Sequence, residues 1–348
     1  MRRMRRSWGG ATVWLEGHGS ALVRLLVCAA AGIVLGVGAL PAVAAPYAGT
    51  ALRFALSGKS GTDVNFVAAW QGCAQEAQRH GDICQFWSAE GPAQARLQDR
   101  MILDALDAHV RGLAVSVIRS DVLAQSALLE ALRRRVPVIT FDSDLDPADR
   151  PFRRVYVGPD NLEVGRTLGR LVIQSHPRGG VLCMMSGNRS DPNLNLRMQG
   201  VRQVLSGRPD WPAAARLQGQ GGWTEAARCP WFNDDVPERA LRQLKTSLGE
   251  LAVDVVVSVG SWPVVDPEAF EATVSPLAPD QHGQAIYACI GQPNAALMGL
   301  LDKRWLAGMV SIDFTEMGRQ VYQALKRLAV GDAVNEYVLT PVRAITRE

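Results

Sequence analysis

From residue 51 onward, short β-branched or apolar runs alternate with longer amphipathic stretches. This alternation constrains the chain more than any other feature. The strand-like runs are 51–57, 83–88, 112–118, 136–141, 155–157, 180–185, 253–259, 285–290 and 309–312. Helical spacing occupies 64–80, 94–109, 121–134, 160–175, 192–206, 236–248, 293–303 and 315–330. Strands alternating with helices predict an α/β protein whose parallel sheets carry helices on both faces. Runs 136–141 and 253–259 are largely apolar, as strands covered on both sides are. Asp160 or Asn161 suits the start of one helix, and Gly81 suits the end of another, where positive φ is needed. Segments 142–154 and 219–237 read as loops. The second carries Trp223, Trp231 and Phe232, and aromatics in a long loop are expected to bind rather than pack.

Composition narrows the class. A length of 348 residues suits two domains. With 47% hydrophobic and 20% charged residues, the chain is too apolar to be disordered. The net charge of +3 is unevenly spread. Residues 1–44 hold Arg2, Arg3, Arg5, Arg6 and Arg24 against Glu16, so the rest carries −1. A body that near neutral lacks the basic footprint of a nucleic-acid binder. Arginines, an apolar run and then Pro41-Ala42-Val43-Ala44 form the order of a signal peptide over residues 1–44. An uncleaved anchor is the alternative, because Leu25 to Ala45 is uncharged and long enough to cross a bilayer. Arg5-Arg6 is a poor twin-arginine signal and Cys28 a poor lipoprotein cysteine, given their neighbours. Each version exports the body.

Five cysteines follow the leader, and an odd number leaves at least one thiol unpaired or intermolecular. Cys73 and Cys84 could pair, since a helix and the next strand would bring them together, but the sequence leaves their state and that of Cys229 open. Cys183 and Cys289 lie in apolar runs and are expected as small buried hydrophobes. No C-x-x-C or H-E-x-x-H occurs, so no metal or other cofactor is expected.

In open α/β sheets, ligands gather beyond the carboxyl ends of the strands. Those ends are 57–66, 141–146, 186–197, 259–262, 290–294 and 313–316. They carry carboxylates, amides, an arginine and aromatics, a mix suited to a polyhydroxylated or zwitterionic small molecule. Gly58-Lys59-Ser60 is not a P-loop, because Arg53 stands where the motif needs its first glycine. Asp142, Asp144 and Asp146 do not open a calcium loop, because Pro147 and Arg153 stand where Gly and Glu are required. No nucleophile–base pair appears in a recognisable context, so no enzyme is expected.

Four segments in order resemble the type I periplasmic binding protein family, in its sugar-binding, ribose-binding-protein-like branch. They are 51–57 with Asn65-Phe66; Pro137 to Asp144; Tyr156-Val157-Gly158-Pro159-Asp160-Asn161 with Gly165; and Ser186-Gly187 with Asn195, Arg197 and Gly200. The resemblance covers nearly the whole exported body. It implies two Rossmann-like lobes joined by a three-segment hinge, with ligand caught between them by hinge closure. The lobes are expected at 50–158 plus 313–330 and at 159–312 plus 331–348. Asp63, Asn65, Phe66, Asp142 and Ser143 would line the first lobe and Arg197 would face them from the second. Trp223 or Trp231 would add an aromatic wall.

The chain departs from the sugar pattern at Ile290-Gly291, at Ser261-Trp262 and at Ile312-Asp313. These departures argue against a simple pentose or hexose; Trp262 and Gln292 could remake the second-lobe wall for a different ligand, and Asp313 is a further expected ligand contact. The expected ligand is a small polar molecule, a sugar or sugar derivative. The resemblance further implies a periplasmic monomer. Its partner would be an ABC permease or a membrane sensor kinase.

Overall fold

The structure is a computed structural model that describes residues 51–251, 253–280 and 285–347. The expected signal peptide and Cys28 lie outside these residues. In chain order the elements begin with β1 (Arg53–Ser57), α1 (Val64–Arg79), β2 (Ile83–Phe86), α2 (Ala95–Asp107) and β3 (Gly112–Val115). Next come α3 (Ser120–Ala124), α4 (Ala127–Arg133), β4 (Val138–Phe141), β5 (Val155–Gly158), α5 (Asn161–Ser175), β6 (Gly180–Ser186) and α6 (Pro192–Ser206). Then follow β7 (Trp223–Glu225), β8 (Trp231–Phe232), α7 (Pro237–Gly249), β9 (Val255–Ser258), α8 (Pro267–Val274) and β10 (Ala285–Ile290). The last are α9 (Ala295–Asp302), β11 (Gly308–Ile312), α10 (Phe314–Ala329), β12 (Tyr337–Leu339) and β13 (Val342–Ile345).

Among the described residues these strands form two sheets. The first runs β12-β5-β4-β3-β1-β2 and the second β13-β11-β10-β9-β6-β7, with β8 also paired to β6. Within each, the first five strands of the winding take the doubly wound order 2-1-3-4-5. Both centres are fully buried, Val138–Phe141 in one and Val255–Ser258 in the other, so their apolar runs are what two covered faces require.

The chain crosses between sheets after β5, after β11 and between β12 and β13. The last crossing corrects the expected boundary. Residues 337–339, assigned to the second lobe on sequence, pair in parallel with β5 of the first sheet, and only β13 joins the second. The expected helix over 121–134 is also two helices. Ser126 leaves helical geometry at φ −134°, ψ −94°. Asp99 on α2 accepts from both the Ser126 hydroxyl and the Ala127 N–H, capping α4 from outside. Helix α8 and strands β7, β8, β12 and β13 were not expected.

Close helix contacts set the geometry of each lobe. On α10, a Cβ at Gly318 would lie 1.8 Å from the Ala69 carbonyl oxygen of α1. On α5, one at Gly165 would lie 1.9 Å from the carbonyl oxygen of Arg197 on α6. Glycine here lets the backbones touch, and in the second lobe it fixes the height of Arg197. Two disulfides tie helix or loop to strand: Cys73–Cys84 and Cys183–Cys229. The second corrects the reading of Cys183 as a free buried hydrophobe. It was missed because the strand following Cys229, which brings it beside β6, is only two residues long. Cys289 is free and buried. Among the described residues no helix is long and apolar enough to cross a membrane.

Candidate functional site

A cavity of about 60 Å³ lies between the two sheets' carboxyl ends. Elements of both lobes build it. Lys59 and Ser60 follow β1, Asp63 caps α1, and Phe66 sits in the first turn of that helix. Asp142 follows β4. From the second lobe come Asp191, Asn193 and Arg197 at the start of α6, Asp235 after β8, Trp262 after β9, and Cys289. Phe314 opens α10 and meets Phe66 edge-on with centroids 6.0 Å apart.

Two buried ion pairs cross the cleft. Arg197 Nη2 meets Asp142 Oδ1 at 2.9 Å, and Lys59 Nζ meets Asp191 Oδ2 at 3.0 Å. Asn193 links them. Its amide donates to Asp142 Oδ2 at 3.1 Å and its oxygen accepts from Lys59 at 2.8 Å. Arg197 is held further by Nε to Asn161 Oδ1 at 2.7 Å and by Nη1 to the Val259 carbonyl at 3.1 Å. Asn161 in turn donates to the Asp142 carbonyl at 2.7 Å, beside the first crossing. Asp142 adopts φ 57°, a left-handed conformation rare for non-glycine residues. Its N–H donates to the Val157 carbonyl at 3.1 Å and its carboxylate accepts from Ser116 at 3.2 Å, and these contacts hold it there.

Among the described residues, the remaining two acids, Asp63 and Asp235, have no ion-pair partner. Burial pushes Asp63 up to about 6, against the pull of the Asn65 N–H and with a push from Asp235 and Asp142. Burial, then the charge of Asp191, pushes Asp235 up to about 7, with Lys59 and the Trp262 indole pulling back. Burial likewise raises Asp191 and keeps the Cys289 thiol protonated. Between about pH 4 and 7 the folded protein holds protons that the unfolded chain has released, so stability falls as pH rises through that window. The melting temperature of the ligand-free protein should therefore drop from pH 5 to pH 8, by on the order of 5 °C. Asp235→Asn should flatten the drop. An identical slope in that variant would remove Asp235 from the account.

Of the residues named from sequence, Asp63, Asn65, Phe66, Asp142, Arg197 and Trp262 meet at this cavity. Five do not. Ser143 is fully buried behind Asp142, its carbonyl accepting from Val117. Trp223 is buried in β7 against the His176 ring. The Trp231 indole donates to Ser247 Oγ at 2.8 Å on α7, away from the cleft. Both tryptophans belong to sheet strands, which is why they pack instead of facing ligand. Gln292 is exposed, and Asp313 caps α10 by accepting from Glu316 N–H at 2.9 Å.

Sequence reading missed Lys59, Asp191, Asn193, Asp235, Cys289 and Phe314. The signal for two of them was present, in the polar stretch Asn188 to Asn193 directly after a buried strand. A larger groove of about 730 Å³ lies on the hinge side. Three of its four acids are committed within the protein: Asp121 to Arg119, Asp144 to Arg153, and Asp160 to capping α5. The fourth, Asp146, is raised by burial and by the charges of Asp149 and Asp121.

A sequence profile of the periplasmic binding protein domain matches residues 54–333. No curated protein matches the chain by sequence. Solved structures share its fold. A glucose-galactose binding protein, GanP, from Geobacillus stearothermophilus superposes with TM-score 0.72 at 18% identity, over 86% of this chain and 98% of its own. An ABC transporter solute binding protein from Burkholderia graminis in complex with D-arabinose gives 0.70 at 18%, over 85% and 95%. A XylFII–LytSN complex gives 0.70 at 16%, over 86% and 98%. At these identities the likeness is one of fold.

Proposed function

Because the chain belongs to the periplasmic binding protein family, we propose that it is an exported solute-binding protein that captures a sugar or sugar derivative between its lobes for an ABC importer. It performs no chemistry, and its closed form is the state the permease reads. The observation that carries this reading is the pair of buried ion pairs spanning the cleft, Arg197–Asp142 and Lys59–Asp191. They surround a cavity that also presents the aromatic rings of Phe66, Trp262 and Phe314. Carboxylates and amides bond hydroxyls, and aromatic faces cover sugar C–H surfaces. The neighbours bound to D-arabinose and named for glucose and galactose support the ligand class. In this reading the leader exports the chain, and the mature protein acts in the periplasm as a monomer.

A thermal-shift panel of sugars, sugar derivatives and polyols tests this. A ligand at a hundredfold excess over its Kd adds about 2.7 kcal/mol of stability. At least one member should raise the melting temperature by several degrees, and a panel with no shift would sink the reading. A second reading has the loaded protein engage a membrane sensor. The XylFII neighbour, solved in complex with a second protein, supports it. Genes for a permease and ATPase beside this one favour import, and a histidine kinase gene favours sensing.

A further inference from the structure

The cavity holds more negative charge than it can satisfy. Four carboxylates line it, Asp63, Asp142, Asp191 and Asp235, against two cations, Lys59 and Arg197. Both cations are already engaged. Every guanidinium nitrogen of Arg197 has an acceptor: Asn161 Oδ1, the Val259 carbonyl and Cys289 Sγ, and Asp142 Oδ1. Lys59 donates to Asp191 and Asn193. An anionic ligand would find at most the third N–H of Lys59 and would otherwise have to displace these partners. The unmet demand is for donors. Asp191 is 0% exposed, yet among the described residues its Oδ1 has no hydrogen-bond partner, and neither has the buried Oδ2 of Asp235. Leaving a buried acceptor unmet costs stability, and costs more when the acceptor is charged.

We infer that the ligand is a sugar or polyol carrying a protonated amino group, with the ammonium held between the carboxylates of Asp63 and Asp235 and beside the indole of Trp262. The inference rests on the solute-binding reading and narrows its ligand class. An ammonium brings three donors, no acceptor and a positive charge, whereas each hydroxyl adds acceptors to a site already rich in them. Asp63, Asp235 and Trp262 line both the cavity and the adjoining surface depression. The cation therefore sits at the mouth and keeps part of its hydration, while the hydroxyls reach inward to Asp191 and Asn193. Burial raises both acids, with neighbouring carboxylates adding to it, and a cation placed between them would oppose that shift. A metal ion is a poorer occupant, because among the described residues no group of three His, Cys, Asp or Glu is placed to hold one.

Titration calorimetry at pH 7 tests the inference with D-glucosamine, D-galactosamine and D-mannosamine. Each is compared with its parent sugar, its N-acetyl derivative and its uronate. At least one amine should bind tenfold or more tightly than its parent and N-acetyl form. In Asp235→Asn, and independently in Asp63→Asn, which retains a helix-capping side chain, that ratio should fall toward one. A parent sugar or uronate binding as tightly as its amine overturns the inference and leaves the solute-binding reading standing. An amine preference that survives both substitutions also overturns it. No binding by any amine or any neutral sugar overturns both.

Discussion

Arg197→Ala should raise the ligand's dissociation constant by at least about a hundredfold while the chain stays folded. Removing one member of a buried, hydrogen-bonded charge pair costs about 2–5 kcal/mol, and a factor of one hundred is the lower part of that range. Arg197 joins more than one partner. It spans from α6 to Asp142 of the first lobe, to Asn161 beside the first crossing, and to the Val259 carbonyl. Without it, Asp142 keeps Ser116 and Asn193 but loses its counter-charge. The lobes relieve that cost by opening, which lets water reach the carboxylate. The loss therefore falls on the closed, ligand-holding state more than on folding itself. Calorimetry with a sugar that stabilises the wild type reads the affinity. Small-angle scattering should show a larger radius of gyration, with an unchanged circular dichroism spectrum. Wild-type affinity in the variant would remove Arg197 from the site, and a lost spectrum would make its role structural.

Much of this architecture is readable from local pattern. The nine expected strand runs all contain strands, because buried β-branched runs between Gly, Pro and Asp punctuation admit little else. Asp142 and Arg197 were reachable from their motifs. What escaped depends on tertiary partners. Strand β12 is only three residues long, with Tyr337 and Leu339 exposed, and it pairs with β5 at the edge of the first sheet. The break at Ser126 depends on Asp99, 27 residues earlier. Lys59 sat in a glycine-lysine-serine string whose only apparent meaning was a failed phosphate loop. Its partner Asp191 is 132 residues away in the other lobe, and no local spacing encodes that pair. Trp223 and Trp231 misled for the converse reason. The segment 219–237 read as a loop, yet Trp223 is buried within β7 and the Trp231 indole is tied to Ser247 on α7.

Removing the Cys183–Cys229 disulfide by the double substitution Cys183→Ala/Cys229→Ala should destabilise the protein by about 4 kcal/mol, from the chain entropy of the loop it closes. That loop has a sequence separation of 46. The same argument gives about 3 kcal/mol for Cys73–Cys84, whose separation is 11. Denaturant unfolding of the two double variants checks both the size and the order.

The longer bridge also bears on binding. Cys229 lies just before β8, whose contact with β6 is only two residue pairs, Met185–Trp231 and Ser186–Phe232. Directly beyond β8, Asn233 donates to the Ser186 carbonyl at 2.9 Å, and Asp235 reaches the cleft. Such a short ladder alone is a weak anchor for a carboxylate held against Trp262. With the bridge removed, the Asp235 segment gains freedom, and binding must supply the cost of ordering it. The Cys183→Ala/Cys229→Ala variant should therefore bind ligand several-fold more weakly under conditions where it is fully folded. The Cys73→Ala/Cys84→Ala variant should bind as the wild type does, because its bridge joins α1 to β2 at the far edge of the first sheet. Equal affinity in the two variants would show that β8 holds Asp235 without the bridge.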